Sequence, residues 1–443
     1  MTQTPSNARA MAVPASRIGR MGRMGAMAAG VAGRMALDGL AQVGRGGSPT
    51  TRDLLLTPAN MRRVADELAT MRGAAMKMGQ LLSMDTGDML PPELADIMAR
   101  LRADADFMPP RQLRDVLDAE WGAGWRTRFA RFDVRPIAAA SIGQVHKATL
   151  HDGTDLAIKV QYPGIARSID SDVTNIGRLI RLSGLMPKGF DLGPYLDEAR
   201  TQLREEADYL AEAAHLERFQ ALVGDTPGLV LPHLHKPLTT QRVLAMEYVA
   251  SDPIEALADA PQDTRDHVMT RLVTLMLREL FDFGVMQTDP NFANYRFVHD
   301  TGDVVLLDFG ATRDLPDWVA PHVAAMVQAG MDGQRDVVAA ELDAMGLVPA
   351  STPAHHRAHI VDMTMMVFDD IRGTDVLDLG TSTLPRRMQQ AGEALAADGF
   401  VPPPVPLDLL YVQRKVAGMF LLAARLRARL PVADLIAPYL PRR

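Results

Sequence analysis

The sequence predicts an α+β protein with two lobes, a small β-rich one and a larger helical one, preceded by a helical segment. Three observations lead there. The run ATLHDGTDLAIKV reads as two strands joined through Asp152-Gly153, a dipeptide that supplies the backbone twist a tight hairpin needs. YRFV and DVVLL flank His299-Asp300-Thr301-Gly302 as a second hairpin. Beyond Pro316 the chain reads as helices throughout. A length of 443 residues is enough for two or three lobes with cores of their own.

Residues 1–50 form a basic arm, with six arginines (Arg9, Arg17, Arg20, Arg23, Arg34, Arg45) against one acid, Asp38. The arm is formally +5 and the remainder −12, within a total of −7. Its longest uncharged run, Met24 to Gly33, is far short of the roughly 20 residues that span a bilayer. Nor does it have the apolar core and cleavage site of a secretory signal. Three readings stay open: a mitochondrial transit peptide, a helix lying on an anionic membrane, or a disordered basic tail.

Residues 51–130 read as a helical extension. Thr57-Pro58 has the pattern of an N-cap followed by proline at the first helical position. Met61, Val64, Leu68, Met71, Ala75, Met78 and Leu82 then recur at spacings of three and four, one apolar face that needs only a core to pack on. Gly73, Lys77 and Gln80 align on the opposite side, with Gly79 beside them. Glycine inside a helix costs up to about 1 kcal/mol, so its presence there predicts a close approach by another backbone or a ligand.

Residues 131–250 make the β-rich lobe, with one long acidic helix from about Pro194 to Leu222 and a strand in VLAMEYV, residues 243–249. Residues 251–443 make the helical lobe. No internal repeat is evident. The absence of cysteine excludes a disulfide framework, a thiolate zinc site and a thiol nucleophile. The net acidity gives no reason to expect nucleic acid as a partner.

Five elements fall in the order and near-spacing of a protein kinase. Asp308-Phe309-Gly310 follows the apolar strand Val304 to Leu307, where a carboxylate can hold Mg²⁺ against nucleotide phosphates. Asp289 and Asn294 stand five apart in MQTDPNFANY, as in a kinase catalytic loop. Lys159 lies in LAIKV, where a kinase lysine meets the α- and β-phosphates. An acidic helix follows, able to supply a glutamate to orient Lys159. AAASIGQV, residues 138–145, occupies the place of the phosphate loop.

Three departures qualify the pattern. Ala138, Ala139, Ala140 and Ser141 replace most of the loop glycines, leaving Gly143, so the nucleotide should be held differently. Gln287-Thr288 stands where protein kinases have His-Arg. No Ala-Pro-Glu follows the DFG at the usual distance, which removes the platform for a protein substrate.

With these motifs in place, the sequence resembles the UbiB/AarF/ADCK family of atypical kinases from about residue 60 to the C-terminus. MKMGQLLSM carries the family's KxGQ motif as Lys77, Gly79 and Gln80. PIAAASIGQVHKA matches its alanine-rich loop, LAIKVQYPGI its lysine strand, and EEADYLAEA its ExD motif through Glu206 and Asp208. QTDPNFAN and LLDFGATR resemble the branch involved in coenzyme Q biosynthesis.

The resemblance implies a bilobal protein-kinase-like fold with an N-terminal KxGQ extension packed over the nucleotide cleft. It implies ATP and Mg²⁺ as ligands. Asp289, Lys159 and Glu212 would be catalytic, Glu212 as the partner of Lys159, with Asn294 and Asp308 on the metal. Ala138, Ala139, Ala140, Ser141, Gly143, Lys159 and Glu247 would form the nucleotide set. Lys77, Gln80, Glu206 and Asp208 would gate it and shut out a protein substrate.

Expected partners are prenyl-quinone lipid intermediates, quinone-biosynthesis enzymes and an anionic membrane, with a homodimer as a further expectation. Many bacterial relatives end in transmembrane helices, but LLYVQRKVAGMFLLAARLRARL here contains five basic residues. The expected location is therefore the cytoplasm, peripheral to the inner membrane, or the mitochondrial matrix in a eukaryote. Two rival functions stand beside an ATPase or small-molecule kinase: a pseudokinase presenting lipid intermediates, and a protein kinase.

Overall fold

The computed structural model describes residues 71, 73–75, 77–79, 107–183, 191–349, 351–400 and 405–441, and the backbone of 2–3. Gln80, the rest of the basic arm and most of the predicted helix from Thr57 lie outside the described residues. Of that helix, 73–75 and 77–79 are helical, and Met71, Ala75 and Met78 are buried as the apolar stripe requires. The described chain forms two compact units, one up to Ala214 together with His233–Tyr248, the other His215–Pro232 together with Val249 onward.

The first unit is built on a six-stranded antiparallel sheet. A short strand β1 (Thr2–Gln3) comes first, then helix α1 (Pro110–Trp121), and β2 (Phe129–Phe132), β3 (Ala138–Ala139), β4 (Gly143–Leu150) and β5 (Asp155–Gln161). Helices α2 (Ile165–Ser183), α3 (Gly193–Glu206) and α4 (Tyr209–Val223) follow; beyond β6 (Leu229–Val230), β7 (Val243–Glu247) closes the sheet. The order is β1-β3-β4-β5-β7, and β2 also pairs with β4. The β4–β5 hairpin turns where Asp-Gly predicts: Gly153 has φ 90°, and the Asp152 side chain accepts the Thr154 N–H.

One helix was expected over residues 194–222, but the chain forms two. Ala207 leaves helical geometry (φ −83°, ψ 0°), and Asp208 Oδ1 accepts the N–H groups of Leu210 and Ala211, each at 3.1 Å. Asp208 thus caps α4. Carboxylates at this position satisfy amide donors that have no partner inside the helix. The acidic pattern runs unbroken across the join, which hides it from periodicity.

His146 is fully buried in β4. Its Nδ1 lies 2.8 Å from the Asp133 carbonyl and its Nε2 2.8 Å from the Gln144 amide nitrogen, which only donates. Nε2 therefore accepts, and the proton sits on Nδ1. Burial lowers the imidazole pKa to about 4, so the ring is neutral at physiological pH.

The second unit has a four-stranded sheet in the order β6-β11-β10-β8, from β8 (Asp252–Pro253), β10 (Tyr295–Val298) and β11 (Asp303–Leu306) with β6. Helix α5 (Gln262–Arg278) runs into a π-helical turn, Glu279–Phe283, and then β9 (Val285–Gln287). β9 pairs antiparallel with β12 (Thr312–Asp314), a contact no local pattern announced. Helices α6 (Val319–Met331), α7 (Arg335–Ala344), α8 (Ala354–Arg372), α9 (Leu384–Ala397), α10 (Leu407–Arg425) and α11 (Val432–Ile436) complete it.

The region after Pro316 is not helical throughout. β13 (Leu377–Asp378) and β14 (Arg429–Leu430) pair across it, each too short to show a period of two. Among the described residues, no helix is long and apolar enough to cross a membrane. The basic residues of α10 explain themselves differently from the sequence reading: Arg414 and Lys415 are buried.

Candidate active site

In the first unit, β5 carries Lys159 opposite Val145 of β4 and Leu244 of β7. Its ammonium donates to both carboxylate oxygens of Glu212, at 2.7 and 2.9 Å, and lies 5.1 Å from the centre of the Tyr209 ring. Both partners are buried, at 4% and 2% exposure. Glu212 stands in the first turn of α4, so the cap at Asp208 sets where this glutamate points. Burying two charges costs several kcal/mol per ion, recovered only through good geometry, and an apolar pair would fold as well.

Glu206, the last residue of α3, joins two other elements. Lys77, 3% exposed, places its ammonium 2.6 Å from Glu206 Oε1, and the Ser141 hydroxyl donates to Oε2 at 2.5 Å. A Cβ on Gly73 would lie 3.0 Å from the Ser141 carbonyl and 2.9 Å from Ile142. The helical turn bearing Lys77 is therefore seated on the alanine-rich loop, the close backbone approach that glycine in that helix predicts.

The loop itself is built as a strand and a turn. Ala138 and Ala139 pair with Val145 and Gln144, and the Ala140 N–H donates to the Gly143 carbonyl at 2.9 Å. Gly143 was read as the remnant of a phosphate cradle. In the structure, its missing Cβ makes room for protein: a methyl there would lie 2.5 Å from the Val160 carbonyl and 2.8 Å from the Tyr209 hydroxyl. Glu247 ends β7, three positions from Leu244, and its side chain accepts the His233 N–H at 3.2 Å.

In the second unit, Asp289, Asn294 and Asp308 are drawn together by backbone bonds. The Leu307 N–H donates to the Asn294 carbonyl at 3.0 Å, which ties the loop to the residue before Asp308. Asn294 Nδ2 lies 3.4 Å from the Asp289 carbonyl, and Asp289 Oδ1 accepts the Asn291 N–H at 3.2 Å. Asp308 Oδ1 accepts the Gly310 N–H at 3.0 Å. Phe309 is buried against Phe219, ring centres 5.0 Å apart, and its carbonyl accepts from His215 Nδ1 at 3.2 Å.

Several participants escaped the sequence reading. Thr288 bonds the Ala311 carbonyl twice, through its N–H at 2.9 Å and its hydroxyl at 2.8 Å, fastening the loop to the segment after Gly310. Lys415 of α10 donates to the Gln287 carbonyl at 2.9 Å, the Gln287 side-chain oxygen at 3.1 Å and the Tyr295 hydroxyl at 3.1 Å. Glu279 Oε2 sits 3.2 Å from the same ammonium. Burial pushes the Glu279 carboxyl up, while Lys415 draws it back. Burial likewise works against the ammonium, but the Glu279 charge and Tyr295 more than reverse it, so Lys415 stays charged. The replacement of His-Arg by Gln287-Thr288 was the one visible sign of these contacts.

The ABC1 atypical kinase-like domain matches residues 100–342. The chain is 38% identical to the rat atypical kinase COQ8B, mitochondrial, over 98% of its own length and 82% of the relative's. It is 36% identical to the Saccharomyces cerevisiae atypical kinase COQ8, mitochondrial, over 96% and 85% of the two. The solved Rv3197–erythromycin complex from Mycobacterium tuberculosis superposes with a TM-score of 0.60 at 24% identity, over 86% of this chain and 96% of that one. That likeness speaks to the fold alone, which is α+β and kinase-like.

Proposed function

The chain belongs to the ABC1 family of atypical kinases, and from that premise we propose that it is an ATP- and Mg²⁺-dependent ATPase or small-molecule kinase supporting ubiquinone biosynthesis at a membrane. The observation that carries this reading is the buried Lys159–Glu212 pair, 2.7 Å apart. A fold gains little stability from such a pair over apolar side chains, whereas a lysine held in one place suits phosphate binding.

Each residue then has one task. Lys159, aligned by Glu212, would contact the nucleotide phosphates. Asn294 and Asp308 offer an amide and a carboxylate oxygen, a donor set suited to a hard divalent cation. Bound there, Mg²⁺ would neutralise charge on the phosphate oxygens. Asp289 would accept the proton of the attacking hydroxyl or water. Contact with an anionic membrane would fall to the basic arm, as expected of an Arg-rich, acid-poor segment.

One observation favours the second reading, a nucleotide-dependent presenter of lipid intermediates with slow turnover. The Lys77–Glu206–Ser141 clasp fastens the KxGQ helix to the alanine-rich loop, as a gate would.

Thermal unfolding with ATP, with and without Mg²⁺, tests the nucleotide site. At about 100 times the dissociation constant a ligand adds roughly 2.7 kcal/mol to the native state. The expected result is a Mg²⁺-dependent rise in midpoint that Asp308→Asn abolishes. No rise at millimolar ATP would refute it. Turnover with and without anionic liposomes then separates the ATPase from the presenter.

A further inference from the structure

We infer that Lys415 is a positioning residue, a single side chain of α10 that holds both ends of the loop 287–295 in place. The inference rests on reading that loop as catalytic. Among the described residues, the ammonium donates two hydrogen bonds to Gln287 and one to Tyr295, at the loop's two ends. Gln287 is two residues before Asp289, and Tyr295 directly follows Asn294.

Glu279 plays a different part. Its Oε2 is 3.2 Å from Lys415, yet among the described residues that oxygen has no hydrogen-bond partner. It balances the charge while the loop takes the bonds. It stands at the start of the π-helical turn, an irregularity often found at functional sites, here just ahead of β9.

The same face of α10 grips the loop once more. Gly418, one turn beyond Lys415, lies so close to Pro290 that a Cβ there would fall 2.1 Å from the proline Cβ. Tyr411, one turn before, has the Arg313 guanidinium 5.2 Å from its ring centre, and Arg313 pairs with Met286 of β9. The two glutamine oxygens of Gln287 are what its position requires, since one ammonium can bond both the backbone and the side chain. This gives a reason for glutamine at a position where protein kinases have histidine.

A structural role alone predicts lost stability, whereas positioning predicts a looser loop in a protein that still folds. The double variant Lys415→Met with Glu279→Gln removes both charges together, so no buried ion is left uncompensated. Hydrogen exchange over 286–296 is the readout, because it needs no activity. The expected result is exchange there faster by roughly tenfold or more, with β4 and β5 unchanged. Glu279→Gln alone keeps the three acceptors but leaves the buried ammonium without its counter-charge, so it should lower global stability while its loop loosens less than in the double variant.

Tyr295→Phe removes one bond with little risk to folding, and should speed exchange at the 293–296 end only. Unchanged loop exchange in the double variant or in Tyr295→Phe overturns the inference. So does equal loosening by Glu279→Gln. Where the wild type hydrolyses ATP, kcat should fall at least about tenfold in the double variant, with KM for ATP within roughly threefold. A wild type without turnover would sink the catalytic reading of the loop, and the exchange result would still decide whether Lys415 holds it.

Discussion

Each unit contains a buried lysine–glutamate pair, and the two are built differently. Lys159 directs two bonds at one carboxylate, 2.7 and 2.9 Å away. Lys415 stands 3.2 Å from its carboxylate and directs its bonds at Gln287 and Tyr295. In the first pair, the glutamate orients the lysine. In the second, the glutamate balances the charge, and the lysine orients a loop. Both pairs are buried, so burial does not identify the role; the destination of the ammonium protons does.

The largest expected effect separates the charges of one pair. Lys159→Met leaves Glu212 buried alone, which should cost about 3–5 kcal/mol in denaturant unfolding. Adding Glu212→Gln should recover most of that stability but not the Mg²⁺–ATP thermal shift. Recovery of both would mean that Lys159 is only a structural ion, and the contrast with Lys415 would collapse.

Acid should distinguish the units next. His146 of the first unit titrates near 4 in the fold against 6.5 unfolded. The unfolded chain therefore binds the extra proton first, and stability is lost as pH falls from about 6.5 towards 4. The loss approaches about 3 kcal/mol at the lower end, and His146→Gln should flatten that stretch of a stability–pH curve.

Two of the close-packed glycines, Gly418 and Gly143, rank below. Helix propensity alone would favour Gly418→Ala by about 1 kcal/mol. The overlap with Pro290 reverses the sign, giving a loss of about 1–3 kcal/mol together with a displaced loop. Gly143→Ala meets the Val160 carbonyl, a backbone atom in mid-sheet, and should cost at least as much with no effect on loop 287–295 exchange. The smallest effect is expected at Arg218–Asp314, a 2.6 Å pair with both partners exposed. Arg218→Ala should change unfolding by less than about 1 kcal/mol.

Much of the fold was legible. Both hairpins appear where Asp-Gly and His-Asp-Thr-Gly place them, because turn chemistry acts within four residues. The candidate residues Lys159, Asp289, Asn294 and Asp308 stand out by spacing, since one strand or loop fixes each set. The break at Ala207-Asp208 was not legible, because an acidic, helix-compatible run continues through it. Asp208, read as part of a gate, is also the residue that starts α4 and aims Glu212.

The sequence by itself determined which residues are candidates for the chemistry and the order in which they come, since motif spacing and local turns depend on near neighbours. Only the tertiary structure decided what holds them. Lys415 looks like a solubilising charge on an apolar helix, and it reaches Gln287 across 128 positions of chain. Contacts over that distance are set by how helices pack, and a buried ammonium has to find its acceptors wherever that packing brings them.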